Sequence, residues 1–199
     1  SPDIARAGLW RPSIGLALVS LLGFGLLYSL AGTGLGRGLF PAQATGSIVS
    51  AEGHAVGSAL VAQPFADARY FQPRPSAANY DPMAAAGSNQ SRGNPDLRRR
   101  IDQARVAVAA RDGIAPADVP ADLITQSGGG LDPHVSAHGA EVQIARVAGA
   151  RGLPPSTVAA LVRRNTESPQ FGVLGEPRVN VLRLNLALDA LPSATQQAQ

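Results

Sequence analysis

The sequence predicts a single N-terminal transmembrane helix followed by one α+β extracytoplasmic domain. Three observations carry this expectation. Between Arg11 and Arg37 there is no charged residue, and residues 12–34 read PSIGLALVSLLGFGLLYSLAGTG. The remainder, 35–199, has the size of one ordinary domain of about 100–200 residues. That remainder mixes short β-branched or aliphatic segments with longer stretches of helical periodicity.

About 20 residues at 1.5 Å each cross a bilayer core of roughly 30 Å while a helix satisfies its own backbone hydrogen bonds. The apolar run meets that length. A cleaved signal peptide is the alternative, with Arg6 and Arg11 as its basic leader and Ala42-Gln43-Ala44 as a small-x-small triplet. Signal h-regions run only about 7–15 residues, and the triplet lies past Arg37, so an uncleaved anchor is favoured. Two arginines precede the helix and one closely follows it, a bias that sets residues 1–11 as a cytoplasmic tail and 47–199 as a periplasmic domain. Gly25, Ser29, Gly32 and Gly36 fall near one face, a spacing that lets another helix approach closely; ordinary membrane-helix glycine is the alternative.

All 17 basic residues are arginine, the net charge is +3, and cysteine is absent. The chain therefore has no disulfide, no thiolate metal site and no cysteine nucleophile. With aromatics at 5% of the chain, the core must be built from Ala, Val, Leu and Ile.

Residues 35–46 form a glycine-rich linker. Segments 47–50 (SIVS) and 58–63 (SALVAQ) read as two strands, with Gly53 and Gly57 between them. The stretch 64–95 is dense in Pro, Asn, Ser and Gly and reads as irregular, anchored by Phe65, Tyr70, Phe71 and Tyr80. Asn94-Pro95 opens a helix with Asn as cap and Pro in the first turn. Leu97, Ile101, Ala104 and Val108 share its inner face, and Asp112-Gly113 stops it. Residues 116–132 are another loop. A helix over 136–150 follows, with Val142, Ala145, Val147 and Ala148 as buried candidates, then a helix from Pro154-Pro155 to Arg164. Residues 179–191 are ambiguous. Leu182, Leu184, Leu186 and Leu188 alternate as in a strand, whereas Val181, Leu184, Leu188 and Leu191 keep helical spacing behind an Asn180 cap.

Candidate chemistry is sparse. His134 and His138 with Glu141 have the residue types of a zinc site, but Pro133 and the Ser136 cap place His134 ahead of the helix, so no metal is expected. Ser127 beside Gly128-Gly129-Gly130 lacks both a G-x-S-x-G elbow and the lysine of a Walker loop. Ser127, His134 and Asp132 form a triad only on paper, because groups so close in sequence seldom reach triad geometry. Arg98, Arg99 and Arg100 lie consecutively on a helix with no interleaved aromatic, so nucleic acid is not an expected partner.

Several stretches together resemble one family. They are Gly57-Ser58-Ala59-Leu60 with Gln63 and Phe65; Tyr70-Phe71 with Arg74-Pro75-Ser76-Ala77; Tyr80-Asp81-Pro82; Gly87-Ser88-Asn89 and Asn94-Pro95. Further along are Val119-Pro120 with Asp122-Leu123, Ser127-Gly128, Gly130-Leu131-Asp132-Pro133-His134, Gln143 with Arg146-Val147-Ala148, and Arg151-Gly152-Leu153. The last are Gly175-Glu176-Pro177-Arg178-Val179-Asn180-Val181-Leu182 and Leu184-Asn185-Leu186-Ala187-Leu188-Asp189. In this order, over nearly the whole length, they resemble the C subunit of the Kdp-type high-affinity potassium-transporting ATPase. Residues 84–93 (AAAGSNQSRG), His138 and Gly139 depart from the family pattern.

The resemblance implies a non-catalytic accessory subunit in a bacterial inner membrane. Its partners would be a P-type pump subunit that hydrolyses ATP, a channel-like potassium-binding subunit and a small single-helix subunit. It also implies a role in assembling the complex and as a catalytic chaperone raising the pump's ATP affinity, with Gln143 matching a family glutamine proposed for nucleotide binding. ATP would be the only cofactor, and it would be the pump subunit's. A helix-borne glutamine with no neighbouring lysine or P-loop makes a poor nucleotide ligand, and a periplasmic domain does not meet cytoplasmic ATP, so an indirect effect is expected. A membrane-anchored periplasmic binding module and an anchored hydrolase built on Ser127, His134 and Asp132 are the competing classes.

Overall fold

The computed structural model describes residues 8–191; Arg6, most of the 1–11 tail and residues 192–199 lie outside them. The chain divides into two compact units at Ile48.

In the first unit, one continuous helix α1 runs from Trp10 to Leu39, with Leu21–Leu27 wound as a π-helix. None of its residues is buried, and its 30 residues make it long and apolar enough to cross a membrane. It extends through most of the glycines that the sequence marks as linker. Each glycine costs only about 1 kcal/mol relative to alanine in a helix, and no stronger breaker occurs until Pro41. Proline excludes its predecessor from the α region, and Phe40 accordingly sits at φ −136°, ψ 62°. A short turn of helix, α2 (Pro41–Ala44), follows.

The second unit begins with a hairpin of β1 (Ile48–Ala51) and β2 (His54–Ser58). The second strand lies earlier than the 58–63 expected. Glu52 and Gly53 both take positive φ, 51° and 81°, and so make a two-residue turn that starts the return strand at once. Residues 59–94 carry no regular element beyond a single helical turn at Pro82–Ala84. Helix α3 (Pro95–Asp112) has the expected ends: the Asn94 side chain accepts from the Asp96 N–H, and Gly113 closes it at φ 68°.

The predicted 136–150 helix is replaced by three pieces. His134–Ser136 is strand β3, Ala137–Glu141 is α4 and Ile144–Arg151 is α5. Ser136 does cap, accepting from the Gly139 N–H. Ala145, expected in the core, is exposed, because the turn at Val142-Gln143 resets the helical phase. Helix α6 (Pro155–Arg164) forms as read. Strands β4 (Thr166–Glu167) and β5 (Arg178–Asn180) complete an antiparallel sheet in the order β3-β5-β4, with Val135 opposite Val179 and Thr166 also opposite Val179. The ambiguous tail resolves as β5 followed by helix α7 (Val181–Asp189), capped by Asn180 accepting from the Arg183 N–H.

Beneath the sheet lies a core of Val135, Val147, Val158, Val162, Val179, Leu184 and Leu188. It is aliphatic, as the composition requires. Its one fully buried aromatic is Phe71, which the irregular stretch supplies.

Candidate functional site

Residues 59–81 cross the helices α5 and α7 as a strap that owes its position to side chains rather than to a strand ladder. Buried backbone groups must find partners, and two buried amides supply them. Gln143, wholly buried, accepts the Gln72 N–H at 2.8 Å and donates to the Gln72 carbonyl at 3.2 Å. Asn185, on α7, does the same for the neighbouring residue: its Oδ1 accepts the Phe71 N–H at 2.8 Å and its Nδ2 donates to the Phe71 carbonyl at 3.0 Å. Between the two clasps the Phe71 ring enters the core with no exposed surface, a burial worth about 1.5–3 kcal/mol.

A terminal amide has two donors and two acceptor lone pairs. Gln143 uses all four, because its Nε2 also donates to the Gly139 carbonyl at 3.0 Å and its Oε1 also accepts from Arg146 Nη2 at 2.8 Å. The break between α4 and α5 puts Gln143 in this position, as the residue that caps α5.

Arg146 extends the fastening. Its Nη1 donates to the Ala68 and Tyr70 carbonyls at 2.6 and 2.9 Å, and its Nε donates to Asp112 Oδ1 at 2.6 Å. Asp112 has a fully buried side chain and also pairs with Arg111. Arg151 lies 5.0 Å from the centre of the Tyr70 ring, donates to the Arg69 carbonyl and pairs with Asp189, which also accepts from the Tyr70 hydroxyl. Nearer its start the strap is held by Asn180, whose Nδ2 donates to the Ala59 carbonyl at 2.8 Å.

At its far end the strap packs on the triple glycine. The Ser76 hydroxyl donates to the Gly130 carbonyl at 2.6 Å, and Gly130, at φ 72°, would place a Cβ 2.8 Å from the Ala86 carbonyl oxygen. Close backbone approach accounts for Gly130, whereas a Cβ at Gly128 or Gly129 would meet nothing within 4 Å. Arg74 pairs with Asp132 at 3.0 Å, and Asp132 also receives the His134 N–H. Burial pushes the Asp132 carboxyl up, but the hydrogen bonds from His134 and the Arg74 guanidinium outweigh it and hold it below the ordinary carboxylate value.

The other candidates stand apart. His134 lies on β3, while His138 lies on α4, exposed and 3.9 Å from Glu141; among the described residues no His, Asp and Glu gather as a metal site. The Ser127 hydroxyl accepts from the Asp132 N–H at 3.5 Å, and among the described residues no hydrogen bond links it to His134. Sequence reasoning missed the roles of Asn185, Arg146 and Asp112. For Asn185 a signal was there: an amide among Leu184, Leu186 and Leu188, on a face otherwise apolar, requires a buried partner.

A family model described as K+-transporting ATPase, c chain (KdpC) matches residues 10–190. The chain belongs to this family. KdpC members are c chains of the potassium-transporting ATPase, and this one is a non-catalytic subunit of that Kdp complex. The potassium-transporting ATPase KdpC subunit of Xanthomonas campestris pv. campestris (strain B100) is 64% identical over 182 residues, covering 92% of this chain and 87% of that one. The KdpC subunit of Kineococcus radiotolerans is 52% identical over 180 residues, covering 89% and 91%. That of Shewanella putrefaciens is 47% identical over 186 residues, covering 94% and 92%.

Proposed function

We propose that this KdpC-family chain is a single-span accessory subunit of the bacterial inner membrane, with residues 1–11 cytoplasmic, 12–34 in the bilayer, 35–46 leading off it and 47–199 a periplasmic domain. The domain docks on the channel-like potassium-binding subunit and, with the anchor, holds it, the ATP-hydrolysing pump subunit and the small single-helix subunit together. The chain binds no cofactor of its own. It raises the pump's ATP affinity by favouring one conformation of the complex rather than by touching nucleotide.

The observation that carries this reading is the saturation of Gln143: its side chain has no exposed surface and no hydrogen-bonding capacity to spare. It acts on nucleotide affinity through the strap it fixes. The arginine bias around α1 supports the orientation. Protease added to sealed right-side-out vesicles should degrade the 47–199 domain, and an intact domain would overturn the topology. Nucleotide photolabelling should mark the pump subunit alone; a label on Gln143 would overturn the indirect mechanism. Purification of the chain free of any ATPase subunit would favour the alternative, a membrane-anchored periplasmic binding module.

A further inference from the structure

Between β4 and β5 the chain projects as a short finger. Gln170 and Leu174 exchange backbone hydrogen bonds at 2.8 and 2.9 Å, and Phe171 and Gly172 turn the tip with φ of 55° and 78°. Three apolar side chains crowd this tip with nothing over them: Phe171 is 83% exposed, Val173 79% and Leu174 59%. Other exposed large apolar residues of the second unit, such as Leu60, Met83 and Val106, stand singly. A bulky residue at positive φ costs about 1–3 kcal/mol, and here it displays an aromatic ring to solvent. The isolated domain gains nothing from that.

The base is fixed by the pairing of β4 with β5 and by Glu167, which meets Arg178 at 3.1 Å and Arg183 at 3.6 Å. Beside it opens a cleft of about 300 Å³ lined by Arg74, Asp122, Asp132, His134, Glu176 and Arg178. Arg74 keeps 26% of its side chain exposed there and pairs with Asp132 through Nη1.

We propose that this finger and cleft together are the surface that grips another subunit of the pump complex, an inference that rests on the docking role proposed above. The occupant is a polypeptide. Three carboxylates against two guanidiniums repel a phosphate headgroup, whereas a chain segment offers both signs to the cleft, beside an apolar pocket for Phe171.

The test places a photoreactive benzoylphenylalanine at Phe171, and separately at Val106 on α3, in the full chain within the assembled complex in native membranes. The structure predicts an adduct with another subunit from position 171 and none from 106. The triple variant Phe171→Ser, Val173→Ser, Leu174→Ser should lose about tenfold in retention on the complex after mild-detergent washing, with an unchanged urea midpoint. Adducts with lipid alone would mean that the tip enters the bilayer, and a shifted midpoint that the tip is structural; either overturns the inference. A protein adduct from 106 but not 171 would refute this surface while sparing the docking role. No adduct from either position, with retention unchanged, would overturn both.

Discussion

Replacing Gln143 by leucine keeps the volume and removes the clasp. The change leaves the Gln72 N–H and carbonyl, the Gly139 carbonyl and one Arg146 N–H without their partner. Each buried group so orphaned costs about 1–3 kcal/mol, but Gln72 is half-buried and recovers part of this from water. A loss of about 2–4 kcal/mol is expected, a large share of the roughly 5–15 kcal/mol that holds a domain folded. Because the chain has no lysine, trypsin reports on the strap cleanly. Arg69 is its cleavable bond, since Arg74 precedes Pro75. Cleavage of a transiently opened segment follows the open population, so 2–4 kcal/mol predicts cutting at Arg69 faster by about 30-fold to several hundredfold. The measurement is limited trypsinolysis of the full chain in detergent, beside a urea titration followed by far-UV circular dichroism. An unchanged cutting rate and midpoint, together with a fall in the pump's ATP affinity, would refute the reasoning. Gln143 would then act by contact.

Three further outcomes follow from the same network. Asp112→Ala strands the buried Arg146 guanidinium and should cost about 3–5 kcal/mol in urea titration. Gly130→Val forces a branched side chain at φ 72° against the Ala86 carbonyl and should destabilise by at least about 2 kcal/mol, whereas the same change at Gly129, which has nothing within 4 Å, should be tolerated. For Asp132, whose carboxyl is held low in the folded state, the stabilisation is present above the unfolded value of about 4 and disappears as pH falls through the folded one. Asp132→Asn should therefore be less stable than the parent by roughly 1 kcal/mol at neutral pH, the 34% exposure of the carboxylate discounting the pair, and the two unfolding curves should converge in acid.

Elements whose instructions lie within a few residues were legible. Asn94-Pro95 and Gly113 mark both ends of α3 because caps are local chemistry, and Pro155 marks α6 in the same way. Helix α7 won over the alternating reading because Asn180 caps it and Val181, Leu184 and Leu188 bury one stripe. The sheet was not legible. Its strands have two or three residues, too few to establish a period, and their partners lie far apart in sequence, as Val135 and Val179 do. The strap is the extreme case. No local rule links Gln72 to a glutamine 71 positions away, so Gln143 could be singled out only by resemblance, and its partners by nothing in the chain.

The manner of fastening bears on function. A strap paired in a sheet would share its hydrogen bonds along a strand, and losing one rung would matter little. Here a few side chains on separate elements hold successive peptide groups: Gln143 at the start of α5, Asn185 on α7, Arg146 between the strap carbonyls and Asp112. Moving α5 against α7 would therefore pull the two clasps apart at Phe71 and Gln72. The strap continues into Arg74, which lines the cleft beside the exposed finger, so force applied there by the partner proposed above would be transmitted to the clasp through covalently adjacent residues. On the function proposed above, a domain built this way would influence a distant ATP site through the subunit it grips, with no nucleotide pocket of its own.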